Sequence, residues 1–384
     1  MNIGIFTDTY NPQINGVVVS IETYRAELER LGHQVYIFAP NEKIKYEARL
    51  EKRLWLFPSV PFYGQKEYRL AYWPRLKKEF LSLPLDIVHT QTPFTLGRLG
   101  VRLARARGLS LVHTYHTHYE EYVHYAHLPR AATKTAARLL AKKFLNVHTA
   151  IIAPSTEIKT TLKNYGVVRP INVLPTGVDL KKICRMGESG GGDDWLKNFG
   201  IAAGDFLVAT TSRLGREKNI EFLLAAVALV KKQNCPIKFL LIGDGPEKNH
   251  LREAARRAGL GNDVFFAGYL NHGEIFSLYR KVKLFLFASK TETQGLVIIE
   301  ALASGVPAVA VTGNGTADIL AKNRGGFLTN EDTDEFAEKI LALWRNPKLW
   351  QNKSLEAAAR AQDYSISDQT AKLLSLYERL IQQS

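Results

Sequence analysis

The sequence predicts an α/β protein built from two Rossmann-like domains, each a mostly parallel sheet wound with helices. Its 384 residues suit two domains at the ~150 residues typical of one. Short apolar strands alternate with longer amphipathic stretches, as parallel sheets require. The alternation stops at the loop-like run Gly187-Glu188-Ser189-Gly190-Gly191-Gly192-Asp193-Asp194 and then restarts.

In the first half, a strand at 3–7, a loop through Asn15-Gly16, a helix at 17–31 and a strand at 35–39 form a βαβ opening. Strands at 86–89, 111–115 and 150–153 continue it. After the linker, strands at 206–210, 238–242, 264–267, 284–288 and 307–311 repeat the pattern. The domains are therefore expected at 1–185 and 186–365, with a final helical pattern at 367–381. Substrates of such sheets bind beyond the strands' carboxyl ends, so two facing domains predict an active-site cleft between them.

Composition narrows the classes. The 46% hydrophobic and 23% charged content is that of an ordinary globular chain, with no collagen-like, disulfide-rich or disordered bias. Cys184 and Cys235 form no C-x-x-C pair, which argues against a zinc site or a disulfide framework and favours a reducing cytosol. No apolar run approaches the ~18–20 residues of a membrane span. The opening lacks the basic start and uninterrupted apolar stretch of a signal peptide.

The net charge of +14 predicts an anionic partner: nucleic acid, nucleotide phosphates or acidic lipid. Residues 1–175 hold 24 basic and 13 acidic side chains, and within 51–150 the balance is 16 to 6. Two stretches there suit an anionic bilayer. One is a short helix expected at 72–83, with Trp73, Leu76, Phe80 and Leu83 at helical spacing and Arg75, Lys77 and Lys78 between them. The other, 130–144, combines Lys134, Arg138, Lys142 and Lys143 with Leu139, Leu140 and Phe144. Each apolar stripe equally suits a helix facing its own core. No zinc-finger spacing, RNP-type motif or heptad-linked basic region accompanies them, so nucleic acid is not the expected partner.

Neither half carries G-x-G-x-x-G after its first strand, and G-x-x-x-x-G-K-[ST] is absent, which disfavours a nicotinamide dehydrogenase or a P-loop ATPase. Asp332-Thr333-Asp334 has a metal-binding D-x-D look but opens a helical pattern, where capping is its expected role. Five histidines, His113, His116, His118, His124 and His127, cluster without a Cys or an H-E-x-x-H, a weak basis for a metal site.

The chemistry concentrates in the second half. Arg213 and Lys218 follow the 206–210 strand, where a fork and a point charge can hold a diphosphate. Glu292 and Glu300 bracket Gln294, Gly295 and Leu296 just beyond the 284–288 strand. Glu292 is expected in the loop and Glu300 in the next helix, whose N-terminal amides favour an anion or sugar hydroxyls. A carboxylate accepts paired hydrogen bonds from vicinal hydroxyls, so the two glutamates suit a sugar ring and a ribose.

This R-x-x-x-x-K followed by E-x7-E resembles the family 4 glycosyltransferases of the retaining GT-B type, over essentially the whole chain. The resemblance implies an acceptor-binding first domain, a nucleotide-sugar-binding second domain, 366–384 crossing back onto the first, and no metal or other cofactor. It implies that Arg213 and Lys218 hold the diphosphate, that Glu292 contacts the donor sugar and that Glu300 contacts the ribose. Gly16 matches a loop that approaches the donor phosphate, though it also suits an ordinary turn. Phe266-Ala267-Gly268-Tyr269 matches a motif near the nucleobase, and Ile242-Gly243-Asp244-Gly245-Pro246 a further one, in which Asp244 is expected only to cap a helix.

Tyr115-His116-Thr117-His118-Tyr119-Glu120 and Ile14-Asn15-Gly16-Val17-Val18 are similar to segments of the bacterial glucosyltransferases that act on diacylglycerol. That similarity places His116 in the active site, against donor sugar or acceptor; a structural strand-end histidine is the other reading. The expectation is transfer of glucose from UDP-glucose to diacylglycerol with retention, by a cytoplasmic enzyme bound peripherally to the inner membrane face. Its rivals are a family 4 enzyme with another lipid or soluble acceptor, a GT-B sugar-nucleotide epimerase, and a non-enzymatic nucleic-acid binder.

Overall fold

A computed structural model describes all residues except 14, 44, 63–64, 73–74, 117–129, 189–195, 198, 203, 290, 314 and 384, and gives the backbone alone at 65–67 and 130–134. The chain divides into two compact units, Met1–Gly177 with Ile366–Ser384, and Val178–Ser365. The boundary falls before the Leu180–Glu188 helix rather than at 185/186, because that helix packs Ile183 into the core of the second unit beside Phe276. Gly187 and Glu188, expected in a linker, complete its last turn.

In the first unit the strands are β1 (Asn2–Phe6), β2 (Gln34–Asn41), β3 (Glu47–Arg49), β4 (Leu54–Phe62), β5 (Gln65–Ala71), β6 (Ile87–Thr90), β7 (Ser110–Thr114), β8 (Ala150–Ala153) and β9 (Ile171–Val173). They form one sheet in the order β3-β4-β2-β1-β6-β7-β8-β9, with β5 paired to β4. All pairings are parallel except those of β4 with β3 and β5.

Two caps fix the helices at the carboxyl edge. Asn15 accepts the N–H groups of Val17 and Val18, starting the Gly16–Arg30 helix. The Thr95–Arg107 helix has no cap from its own N-terminal residue; instead the buried Asp8, just past β1, accepts from the hydroxyls of Thr92 and Thr95 at 2.6 Å and from the N–H of Leu96 at 2.9 Å. Burial raises the Asp8 pKa, and these bonds oppose the rise by favouring the carboxylate. The terminal Ile366–Gln382 helix buries Leu373, Leu376 and Tyr377 in the core of this unit.

The helix expected over 72–83 is corrected to Lys78–Leu81. On its N-terminal side the β-ribbon runs on, with Tyr72 N–H still bonded to Pro58 O. On the other side Pro84 biases Leu83 away from helical geometry. Phe80 is buried edge-on against Phe38, 5.3 Å between centroids, within a stack of Phe6, Phe38 and Trp55. Leu76 and Leu83 pack on the same cluster, so this stripe serves the core of its own unit. Trp73 lies outside the described residues.

The second unit has strands β10 (Phe206–Thr211), β11 (Ile237–Ile242), β12 (Val264–Gly268), β13 (Leu284–Phe287), β14 (Ala308–Val311) and β15 (Gly326–Thr329). The order is β12-β11-β10-β13-β14-β15, and every pairing is parallel. Buried apolar clusters cover both faces, which explains the near-continuous apolar strands. Asp332 caps the Thr333–Arg345 helix by accepting from Asp334 and Glu335 N–H.

Phe80→Ala should lower the stability of the first unit by about 3–5 kcal/mol, read from urea unfolding, because it opens a cavity in a buried aromatic stack. Ser in place of exposed Lys78 should change it by no more than about 0.5 kcal/mol.

Candidate active site

In the second unit the loops after four neighbouring strands gather at one sheet edge. The loop after β10 carries Arg213 and, in a short 3-10 turn, Lys218; the loop after β13 carries Glu292. Because β10 and β13 pair in parallel, Val208 against Leu284, both loops leave the sheet side by side. The half-buried Lys218 ammonium donates to Glu292 Oε1. Arg213 is 44% exposed, and its nearest carboxylate is Glu217, at 3.8 Å.

The loop after β11 packs beneath the one after β10. Gly243 adopts φ 127, and a Cβ there would stand 2.0 Å from Ser212 O, so glycine permits this approach. Leu214 N–H bonds to Asp244 O at 3.0 Å. The Asp244 side chain pairs with Lys248 at 2.6 Å, in the first turn of the Lys248–Arg257 helix, whose cap position is Glu247. Tyr269, the first residue past β12, is 64% exposed.

Gln294 is buried, and Gly295, at φ 85, is the cap position of the Leu296–Ala303 helix, which has no side-chain cap. The start of that helix therefore offers a dipole to an anion. Glu300 lies one turn along, on the helix as expected. Burial pushes its carboxyl up to about 7 from 4.5. Two hydroxyls missed from the sequence flank the charged residues: Ser212 Oγ and Thr291 Oγ1 are buried without a partner among the described residues. Each costs about 1–3 kcal/mol while unsatisfied, which a polar ligand would recover. Their sequence signal was only adjacency to Arg213 and Glu292.

In the first unit Gly16 is the first residue of its helix. His116 follows β7, and its Nε2 lies 2.6 Å from Oε1 of Gln91, which follows β6. His89, His113 and His148 are buried and bonded to Tyr377, Thr114 or Thr90. Burial lowers the pKa of His89 to about 3 and those of His116 and His148 to about 4, so all stay neutral. Among the described residues no group of three or more His, Cys, Asp or Glu is placed to hold a metal. His118, His124 and His127 lie outside the described residues.

Arg75, Lys77 and Lys78 are exposed, with the Lys77 ammonium 3.2 Å from the Tyr46 ring centroid. On the Arg130–Leu145 helix, Leu139 and Leu140 stand 60% and 61% exposed. Phe144, expected on the same outward stripe, instead turns inward against His113 and His148. No helix among the described residues is long and apolar enough to cross a membrane.

Comparison with known proteins agrees with this layout. Residues 193–362 match the model for glycosyl transferases group 1, and 14–182 match that for glycosyltransferase family 4. An alpha-monoglucosyldiacylglycerol synthase of Streptococcus pneumoniae is 38% identical over 91% of this chain and 80% of its own. The chain belongs to glycosyltransferase family 4. Another relative of this glycosyltransferase, the alpha-monoglucosyldiacylglycerol synthase of Acholeplasma laidlawii, is 28% identical over 99% and 98% of the two chains. The crystal structure of Anabaena Alr3699/HepE in complex with UDP superposes with a TM-score of 0.75 at 21% identity, covering 99% of this chain and 100% of that one. The glycosyltransferase thus has the GT-B fold.

Glu300 has a raised folded pKa, so folding takes up a proton between about 4.5 and about 7. Stability is therefore highest below 4.5 and falls as pH rises through 7, by on the order of 3 kcal/mol, because burial penalises the charged carboxylate. Glu300→Gln should flatten that loss; identical pH–stability curves for the two proteins would contradict the assignment.

Proposed function

We propose that this glycosyltransferase moves glucose from UDP-glucose to the free hydroxyl of diacylglycerol, with retention, giving alpha-monoglucosyldiacylglycerol at the inner surface of the cell membrane. The observation that carries the reading is the 38% identity, along nearly the whole chain, to a relative named for that product. The second unit takes the donor and the first takes the acceptor.

The glycosyl C1–O bond breaks, its electron pair leaving with the diphosphate, while the acceptor oxygen bonds to C1 from the same face. The acceptor proton passes to the departing phosphate oxygen. Arg213 and Lys218 stabilise the growing negative charge, as do Gln294, Gly295 and Leu296 at the start of their helix. In this reading no metal ion or other cofactor takes part.

When the diphosphate draws Lys218 away, the Glu292 carboxylate turns to the sugar hydroxyls. Glu300 accepts from the ribose, Tyr269 lies near the base, and the Ser212 and Thr291 hydroxyls gain partners. Gly16 admits the backbone close to the donor phosphate. His116 meets the sugar or the acceptor hydroxyl. Membrane contact comes from the basic face of Arg75, Lys77 and Lys78 with Trp73, and from Leu139 and Leu140.

UDP release from UDP-glucose should depend on diacylglycerol presented in mixed micelles with an anionic lipid, and mass analysis should find hexosyl-diacylglycerol. Release that ignores diacylglycerol sinks the acceptor assignment. Arg213→Ala should reduce kcat on the order of 100-fold or more with the fold intact, by analogy with removal of one charge-stabilising donor.

Vesicle flotation tests the surface. Ser at 139 and 140 should weaken binding at all salt concentrations, whereas Ser at 75, 77 and 78 should weaken it most at low salt. Unchanged flotation of both variants would remove this face from the membrane contact.

A further inference from the structure

We propose that Gly245 and Gly315 are positioning residues for the diphosphate: each lets an outer loop of the second sheet press against a loop that holds the donor, one against the Arg213 loop and the other against Gln294. This rests on the reading that Arg213 and the start of the Leu296–Ala303 helix hold the diphosphate. β11 flanks β10 and β14 flanks β13, all in parallel. The loops after the two outer strands therefore leave the sheet beside the loops after the two inner ones.

Neither glycine is there for its backbone angles. Gly315 has φ −106 and ψ −22, open to any residue, and Gly245 lies outside the positive-φ region. What each supplies is space. A Cβ at 245 would stand 2.4 Å from Leu214 O and 2.7 Å from Leu214 N; one at 315 would stand 2.3 Å from Gln294 O and 2.4 Å from Gln294 C. These neighbours are backbone atoms, which cannot rotate aside as a side-chain tip can, so relieving either clash to ordinary contact displaces the donor loop by about 1 Å.

Both contacts are held from behind. Leu214, beside Arg213, is buried; its N–H donates to Asp244 O and its carbonyl accepts from Glu247 N–H, each at 3.0 Å, so it is tied on both sides of Gly245. In the other loop the buried Thr316 hydroxyl accepts from Gly313 N–H and donates to Val311 O, both at 2.9 Å, stiffening the turn that carries Gly315. An added Cβ thus pushes from a fixed base, and a displacement of about 1 Å in a charge-stabilising site costs on the order of 100-fold in rate.

The test measures UDP binding to the full chain by calorimetry, followed by initial rates. Gly245→Ala and Gly315→Ala should each raise the Kd for UDP about 10-fold and lower kcat on the order of 100-fold, with the KM for diacylglycerol unchanged. A merely structural loss would instead reduce the fraction of protein that binds and leave Kd as it was. Gly245→Ala should add little to Arg213→Ala, since both disable one loop, whereas Gly315→Ala should add its full effect. Thr316→Val, which keeps the shape and removes the hydroxyl bonds behind Gly315, should raise Kd about 3-fold. Gly261→Ala, where the nearest atom to a Cβ stands 3.9 Å away, should change neither Kd nor kcat.

If Arg213→Ala weakens UDP binding while both folded alanine variants bind as wild type does, the proposal is overturned; one unchanged variant removes its own loop from it. Where one alanine variant does not fold the other decides, and where neither folds an unchanged Kd in Thr316→Val overturns the proposal. Arg213→Ala with wild-type affinity sinks instead the phosphate role of Arg213, and the Gly245 half with it. Wild type that does not bind UDP ends the donor reading and this proposal together.

Discussion

The parallel pairing of β10 with β13 is the constraint on which the geometry of the second unit's charged loops depends. Parallel neighbours send their carboxyl ends the same way, so loops far apart in sequence emerge adjacent. Lys218 and Glu292, 74 residues apart, meet for this reason. The adjoining β11 and β12 bring Asp244 and Tyr269 to the same edge. A one-strand change in sheet order would scatter these groups without altering any local element.

Most of the parallel core was legible because its strands, buried on both faces, read as short apolar runs. The antiparallel ribbon was not. β4 contains Pro58 and Pro61, and β5 is largely polar, so neither has the look of a sheet strand, and both lie toward an edge where such residues are tolerated. The same ribbon explains the shortened helix after it: helical spacing of Leu76, Phe80 and Leu83 reported burial correctly and backbone shape wrongly. The Leu180–Glu188 helix hid behind the glycine run that follows it, and with it the true end of the first unit.

Residue type and spacing brought out the charged groups at the carboxyl edge of the second sheet, because cations and carboxylates beyond strand ends carry their chemistry openly. Their partners were less visible. Asp8 caps a helix that begins 87 residues later, a long-range contact that no local pattern encodes. Ser212 and Thr291 are ordinary loop residues until their buried, unpaired hydroxyls are seen. The histidines divide by environment: His89, His113 and His148 are buried and absorbed into hydrogen bonds with Tyr377, Thr114 and Thr90 inside the unit, whereas His116 follows β7 and lies 2.6 Å from Gln91 through Nε2.

The Lys218–Glu292 ion pair has one more consequence, for discrimination among anions. Before any ligand arrives, the ammonium already has a partner, so a free phosphate must displace a carboxylate and leave it stranded in a half-buried place. A phosphate joined to a sugar avoids that penalty, since its hydroxyls can satisfy the carboxylate that its charge has displaced. If the nucleotide sugar binds as proposed, the pair is an internal competitor that inorganic phosphate would meet at a disadvantage, and it would favour ligands that answer both of its halves at once.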